Sequence, residues 1–397
     1  MNRFITVIHI GVLCLISGCD DNSSSSGATG KQPSVKSAAI VSGPGSGTFR
    51  GKETLDPAML IKFESARTEF MNAYEGISPA EKKATCDVSK LRLKGIAEEV
   101  LFPEKDGIKG TGSILYVSDK DYGGHRLIVK NIYPNAMKFD LIMELLTREK
   151  AFMVAALGKA KVVPKIHEIE TFKKDSGICY LSTMVSDFVG RNPLYSARSV
   201  LSINAKLLGR VTARILEIIK EFHSTGFAHG DIHSLNFVYD GDVGRIPETL
   251  RLIDFGRVEP FITKEGTHIP KAKGEYPFII PPKLLSDLEL EGWIKTRRDD
   301  MFRIAEMILD LGNYDQLFHR RIAALGPEFS WKGNIDSGKE TWKKIRARYL
   351  VLKRERKIDP KAPEVFKRFY IYVMDKLDFA ARPDYDYWIQ KFLEINA

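Results

Sequence analysis

The side chains with chemistry to offer gather in two short strings, His229-Gly230-Asp231-Ile232-His233-Ser234-Leu235-Asn236-Phe237 and Leu252-Ile253-Asp254-Phe255-Gly256-Arg257. A carboxylate at Asp231 can orient a hydroxyl group and take its proton. Asn236 offers a neutral amide oxygen and Asp254 a second carboxylate. Hard divalent cations such as Mg2+ prefer oxygen donors of this kind. A base beside a hydroxyl, and a cation beside an anionic group, are what phosphoryl transfer asks for, because that reaction depends on positioning and charge neutralisation more than on covalent chemistry. Either string alone is a weak signal; both in this order and spacing are specific.

The elements that must position these groups can be read from periodicity. Short β segments, Ser113 to Ser118 and Arg126 to Ile132, precede a helical stretch from Phe139 to Leu157. Ile166 to Phe172 and Ile178 to Val185 again read as strands. Beyond Gly190 the chain turns helical: Ile203, Leu207, Leu208, Val211, Ile215, Ile219 and Phe222 recur at helical spacing, with Gly226 as the expected C-cap. Short strands flank a turn at Asp240 to Arg245, and the chain from Arg297 onward is mainly helical. A β-rich part followed by a helical part predicts an α+β fold with two lobes joined near Gly190.

The chain has 397 residues, 44% hydrophobic and 28% charged, which describes a soluble globular protein with a sizeable core. A net charge of +9 suits anionic partners, but at this size it is mostly a solvated surface, and no nucleic acid is expected. At the start, Arg3 is followed by an apolar run from Phe4 to Ile16, too short to span a bilayer comfortably. Ile16-Ser17-Gly18-Cys19 resembles the lipobox of bacterial lipoprotein signal peptides, which implies a lipid anchor on Cys19 and a membrane partner. The Ser- and Gly-rich tract from Asn22 to Pro44 reads as a flexible tether. Cys86 and Cys179 are the two cysteines left for the globular part; they read as free or buried, and no metal spacing exists. The expected organisation is a signal peptide over 1–18, a tether over 19–52, a helical extension over 53–100, an N-lobe over 101–190 and a C-lobe over 191–397. The role of the extension, with Ser78-Pro79-Ala80-Glu81 as a helix start, is not readable; it could brace the core, bind a partner or act as a spacer.

The two strings, with Leu127-Ile128-Val129-Lys130 upstream, resemble the protein-kinase superfamily, and in particular the casein kinase 1 and vaccinia-related kinases. Lys220 to Val238 looks like their helix-to-loop passage, with Gly230 where most kinases have arginine. Arg297-Arg298-Asp299-Asp300 resembles the start of their long buried helix, in which Asp300 would hold the catalytic-loop backbone. Tyr276-Pro277-Phe278-Ile279 stands where other kinases carry Ala-Pro-Glu, and Leu377-Asp378-Phe379 to Arg382-Pro383-Asp384-Tyr385 resembles their last helices. The resemblance runs from about Leu101 to Leu393.

What it implies is an ATP- and Mg2+-dependent Ser/Thr protein kinase. Asp231 would be the catalytic base, Asn236 and Asp254 the Mg2+ ligands, and Lys130 the cation for the phosphates. The partner of Lys130 would be a glutamate on the next helix, Glu149 in preference to Glu144. Gly110 and Gly112 would bring backbone N–H groups to the phosphates, with Leu115 at the third glycine position, and Val117 would cover the adenine. His233 replaces the lysine that touches the transferred phosphate. Aminoglycoside and choline phosphotransferases share His-Gly-Asp-x-His-x-x-Asn, so a small-molecule or sugar kinase is the alternative, and a pseudokinase scaffold a third reading. Without an arginine at Gly230, activation by loop phosphorylation is not expected. The periplasm holds little ATP, so the lipobox implies either a membrane-anchored or exported protein reaching an ATP-rich place, or a cytoplasmic one whose signal is unused.

Overall fold

The computed structural model describes residues 55–76, 97–100, 113–118, 126–132, 139–175, 179–187, 190, 192–270, 296–315 and 358–395. The chain divides into two compact units. One holds the described residues up to 270 together with 296–312 and 363–395; the other holds 313–315 and 358–362. In the smaller one, the Tyr314 carbonyl accepts from the Asp359 amide at 2.8 Å, and the Asp359 carboxylate accepts from the Lys361 amide at 2.8 Å, closing a turn.

The larger unit is built in chain order from helix α1 (Ala58–Glu75), strands β1 (Ala97–Val100), β2 (Ser113–Ser118) and β3 (Arg126–Ile132), helix α2 (Phe139–Ala156), and strands β4 (Ile166–Asp175) and β5 (Cys179–Asp187). Next come β6 (Asn192–Pro193), α3 (Arg198–Leu201), α4 (Ala205–His223), β7 (Phe227–Ala228), β8 (Phe237–Tyr239), α5 (Ile246–Thr249), β9 (Arg251–Leu252) and β10 (Glu259–Pro260). The helices α6 (Arg297–Leu311), α7 (Glu364–Ile371) and α8 (Tyr385–Leu393) complete it. The fold is α+β, as the sequence pattern predicts.

The first five strands form one antiparallel sheet in the order β1-β2-β3-β5-β4, with α2 inserted between β3 and β4. The central strand β3 is fixed on both sides, so that Lys130 lies opposite Ile114 of β2 and Met184 of β5. Strand β1 falls within the segment read as a helical extension, so the sheet takes in residues from Ala97 onward. Of that extension α1 is helical, and residues 77–96 lie outside the described residues.

Helix α1 packs on α2. Met59, Phe63, Ala66 and Phe70 recur at helical spacing and are buried, and the Phe63 ring meets Phe227 of β7 edge-on at 5.0 Å. Arg67 on α1 also lies 3.8 Å from Glu144 on α2. Through these contacts α1 is part of the core. Among the described residues no helix is long and apolar enough to cross a membrane.

Helix α4 forms where the apolar spacing requires it, and Asn204 caps it by accepting from the Leu207 amide at 2.9 Å. Ile203, counted in the apolar stripe from sequence, sits before that cap and is 85% exposed. Ser224, not Gly226, is the C-cap. Gly226 has φ +85° in the turn that follows, and a Cβ there would come within 2.5 Å of Ile262 Cδ1, so both conformation and space call for glycine.

The core between α2 and α4 is aromatic. Phe152 of α2 lies with its ring centroid 5.3 Å from Phe222 of α4, 5.3 Å from Phe227 and 5.2 Å from Phe255 of the Asp-Phe-Gly string. One side chain thus joins three segments that the candidate chemistry needs in register. Phe152→Ala is expected to cost about 3–5 kcal/mol, as large aromatic truncations in cores do; a shift of the urea unfolding midpoint measures it.

Candidate active site

The loop bearing Asp231 is held by one carboxylate at the start of α6. Thr296 caps that helix in a capping box: its hydroxyl accepts from the Arg298 amide at 3.2 Å, and Asp299 Oδ2 accepts from the Thr296 amide at 2.8 Å. This places Asp300 in the first turn, 1% exposed. Its Oδ2 accepts from the His229 amide at 2.6 Å and its Oδ1 from the Gly230 amide at 2.9 Å. The same Oδ2 lies 2.8 Å from His223 Nε2, whose Nδ1 is in turn 2.5 Å from the Tyr385 hydroxyl. Burial pushes the Asp300 carboxyl up. The hydrogen bond and charge of His223, with His229 and the Gly230 amide, more than offset this and hold it below the usual carboxylate range.

Gly230 has φ +74°. The residue read from sequence only as a missing arginine therefore sits where the backbone itself favours glycine. His229 is fully buried, and its Nε2 meets the Ile253 carbonyl at 3.2 Å. Burial lowers its pKa below the ordinary value, although Asp300, Asp231 and Asp254 all pull it up. A neutral imidazole is thus surrounded by the three carboxylates of the site.

Asn236 and Asp254 are brought together by the β8–β9 pairing, in which Phe237 faces Leu252, and by a bond from the Ile253 amide to the Asn236 carbonyl at 2.9 Å. Asn236 Nδ2 donates to the Asp231 carbonyl at 2.9 Å, which fixes the amide. Its Oδ1 makes no hydrogen bond with a described residue and remains the atom able to ligate a cation. Asp254 emerges from buried Leu252 at φ +67° and is exposed. The left-handed conformation is one that aspartate tolerates better than most residues. A hard oxygen from each side, one neutral and one anionic, fits a Mg2+ ion.

Asp231 is flanked on one oxygen: Oδ2 lies 3.6 Å from Arg257 Nε and 3.8 Å from His233 Nε2. His233 Nδ1 accepts from the Leu235 amide at 3.3 Å, which turns Nε2 toward the carboxylate. Burial alone would raise the Asp231 pKa. The hydrogen bond and charge of His233, then the charge of Arg257, outweigh it and bring it down to about 2. Asp231 is ionised at any working pH.

The upstream candidates are placed in part. Lys130 stands on the central strand β3 by its backbone, and Val117 on β2 opposite Leu127; their side chains, and Gly110, Gly112 and Cys19, lie outside the described residues. Glu149 and Glu144 differ in setting. Glu149 is 4% exposed. Glu144, on another face of α2, is 43% exposed and engages Arg148 Nη2 at 2.6 Å. Arg148 also reaches Glu259 of β10 at 3.0 Å, tying α2 to the segment after Asp254. Of Glu144 and Glu149, Glu149 is the buried one.

Arg257, His223 and Tyr385 were not singled out as site residues by sequence reasoning. Arg257 stands in the quoted string, but nothing about its spacing announces a contact with Asp231. A groove of about 820 Å3, lined by Leu157, Lys161, Val163, Gly190 and Arg251 among others, contains none of the candidate catalytic side chains and is a separate feature.

No family model matches the chain. A Caenorhabditis elegans protein that carries a casein kinase I name is 24% identical over 220 residues, which cover 53% of this chain. The match spans 61% of that relative's length. The likeness supports a kinase-like relationship.

Removing the Asp300 carboxylate leaves two buried amides and a buried imidazole without their acceptor. Asp300→Ala is expected to cost about 3–5 kcal/mol, the range for breaking a buried charged network, measured by urea unfolding at neutral pH. Because the folded-state pKa of Asp300 is depressed, its contribution is present above the unfolded value of 3.8 and is lost as pH falls through the lower folded value. Asp300→Asn should therefore flatten the decline of stability with acid below about pH 4, read by thermal melts across pH.

Proposed function

We propose that this protein is a phosphotransferase with the two-lobed protein-kinase fold, moving the γ-phosphoryl group of ATP to a Ser or Thr hydroxyl of a protein. The observation that carries the reading is the loop 229–236, whose backbone is clamped by Asp300 and whose Asn236 is tied to the Asp231 carbonyl, while Asp231 and Asp254 lie close enough to act on His229. A five-stranded antiparallel sheet with one helix between its third and fourth strands, followed by a helical part bearing that loop, supports the fold. The similarity to a casein kinase I-named protein points the same way.

In this reading Asn236 and Asp254 hold Mg2+, which when bound neutralises phosphate charge. Asp231 orients the acceptor hydroxyl and receives its proton. With a pKa near 2 it is a weak base toward a free hydroxyl. Its first task is orientation, and the proton moves late, once bond formation to phosphorus has made the hydroxyl acidic. Lys130, paired with Glu149, steadies the α- and β-phosphates, and Gly110, Gly112 and Val117 cover the nucleotide. Residues 101–190 and 191–397 form the two lobes, and 53–100 is the brace. Residues 1–18 act as a lipoprotein signal, with Cys19 the lipid-bearing residue and 19–52 the tether. A small hydroxyl compound as acceptor is the second reading, favoured by His233 standing beside Asp231.

Incubating the purified protein with labelled ATP and Mg2+ tests both readings, with casein in one arm and an aminoglycoside in the other. Label in casein, reduced about 10²–10⁴-fold by Asp231→Asn and lost with Asp254→Ala, is the expected outcome. Label only in the small molecule moves the assignment to the second reading, and label in neither leaves a nucleotide-binding scaffold. Palmitate labelling that disappears with Cys19→Ser is expected for the anchor; no label in the parent protein removes it.

A further inference from the structure

Transfer of a phosphoryl group to a hydroxyl places charge on the oxygens of the moving group at the acceptor end of the site, and a fixed cation there lowers the barrier. From His229 to Phe237 the loop contains neither lysine nor arginine. His233 stands beside the same carboxylate, its Nε2 3.8 Å from Asp231 Oδ2 and its Nδ1 taken by the Leu235 amide at 3.3 Å.

Among the described residues, a guanidinium reaches this position from a different segment. Arg257 follows Asp254-Phe255-Gly256 directly, in a turn closed by the Val258 amide on the Phe255 carbonyl at 3.3 Å. Phe255 beneath it is 1% exposed and packs on Phe152 and Phe222, so the turn is anchored in the core. Arg257 Nε stands 3.6 Å from Asp231 Oδ2, and the two side chains keep 21% and 24% exposure, buried enough to hold their places and open enough to meet a ligand.

We propose that Arg257 supplies the fixed positive charge at the acceptor end of the site, positioning the Asp231 carboxylate and donating to the oxygens of the phosphoryl group in transit. The inference rests on the phosphotransferase reading above. In that transfer the acceptor oxygen forms its bond to phosphorus as the bond from phosphorus to the leaving ADP oxygen breaks, and the acceptor proton passes to Asp231. Arginine suits the task because its planar guanidinium fork matches the oxygens of a phosphoryl group and holds its charge without depending on a titratable proton. The charge that the loop lacks in sequence is thus returned in space, from the segment that also brings Asp254.

The test compares the full-length parent with Arg257→Met, Arg257→Lys and the double change Arg257→Met with His233→Lys, using ATP, Mg2+ and whichever acceptor the parent labels. Arg257→Met is expected to lower kcat about 10²–10³-fold, the loss typical of one preorganised donor. KM for ATP and the melting temperature should stay near the parent's values. Arg257→Lys should retain most of the lost activity, and His233→Lys should restore at least tenfold of it by returning a cation from the loop. An unchanged kcat in Arg257→Met, or a fall that neither lysine recovers, overturns the proposal. A loss matched by a lower melting temperature in all three variants also overturns it, by showing a purely structural role. A parent that labels neither acceptor overturns the phosphotransferase reading itself, and this inference with it.

Discussion

The Asp300 carboxylate is the interaction on which the site depends. It is buried, and it accepts from two consecutive backbone amides and faces the His223 imidazole. A loop of irregular backbone cannot satisfy its own N–H groups, and each left unpaired in the interior would cost a desolvation penalty of about 1–3 kcal/mol. One carboxylate removes that penalty for two amides and sets the direction in which the following residue, Asp231, leaves the loop. The Thr296 and Asp299 capping box matters for the same reason, since it fixes the turn of helix from which Asp300 projects.

A second constraint is the aromatic cluster under the loop. Phe152, Phe222, Phe227 and Phe255 come from α2, α4, β7 and the segment after Asp254. Their mutual packing fixes the height of Asp254 and Arg257 relative to Asp231. Polar ties run over this core: Arg148 links Glu144 to Glu259, and α1 adds Phe63 against Phe227 and Arg67 toward Glu144. An ion pair as exposed as Arg67–Glu144 contributes little by itself. The buried aromatic face of α1 is what makes that helix part of the core.

The electrostatics of the site follow from this scaffold. Three carboxylates surround His229, and burial keeps that ring neutral despite them. With no charge from His229 to balance it, Asp231 is held ionised by groups on its open side, His233 and Arg257, which both approach Oδ2. The arrangement favours orientation over basicity, in keeping with a reaction whose catalysis is mainly positioning and charge stabilisation.

The sequence by itself determined the α+β class, the strands around Lys130, the helix Ala205–His223 and the two strings with Asp231, Asn236 and Asp254. These rest on local periodicity and on groups whose chemistry does not depend on neighbours. It also singled out Asp300, but only through resemblance. The tertiary structure decided what depends on segments far apart in the chain. It showed that Asp300 meets His229 and Gly230, that Tyr385 reaches His223, and that Glu144 is taken up by Arg148 while Glu149 is buried. Gly230 changed meaning most, from an absent arginine to a residue whose φ of +74° the loop itself requires. Arg257 was in plain view in the second string, yet no spacing rule predicts a contact across 25 residues of intervening helix, strand and turn. Such contacts are set by the packing of Phe255 beneath the turn, and packing is what a linear pattern does not contain.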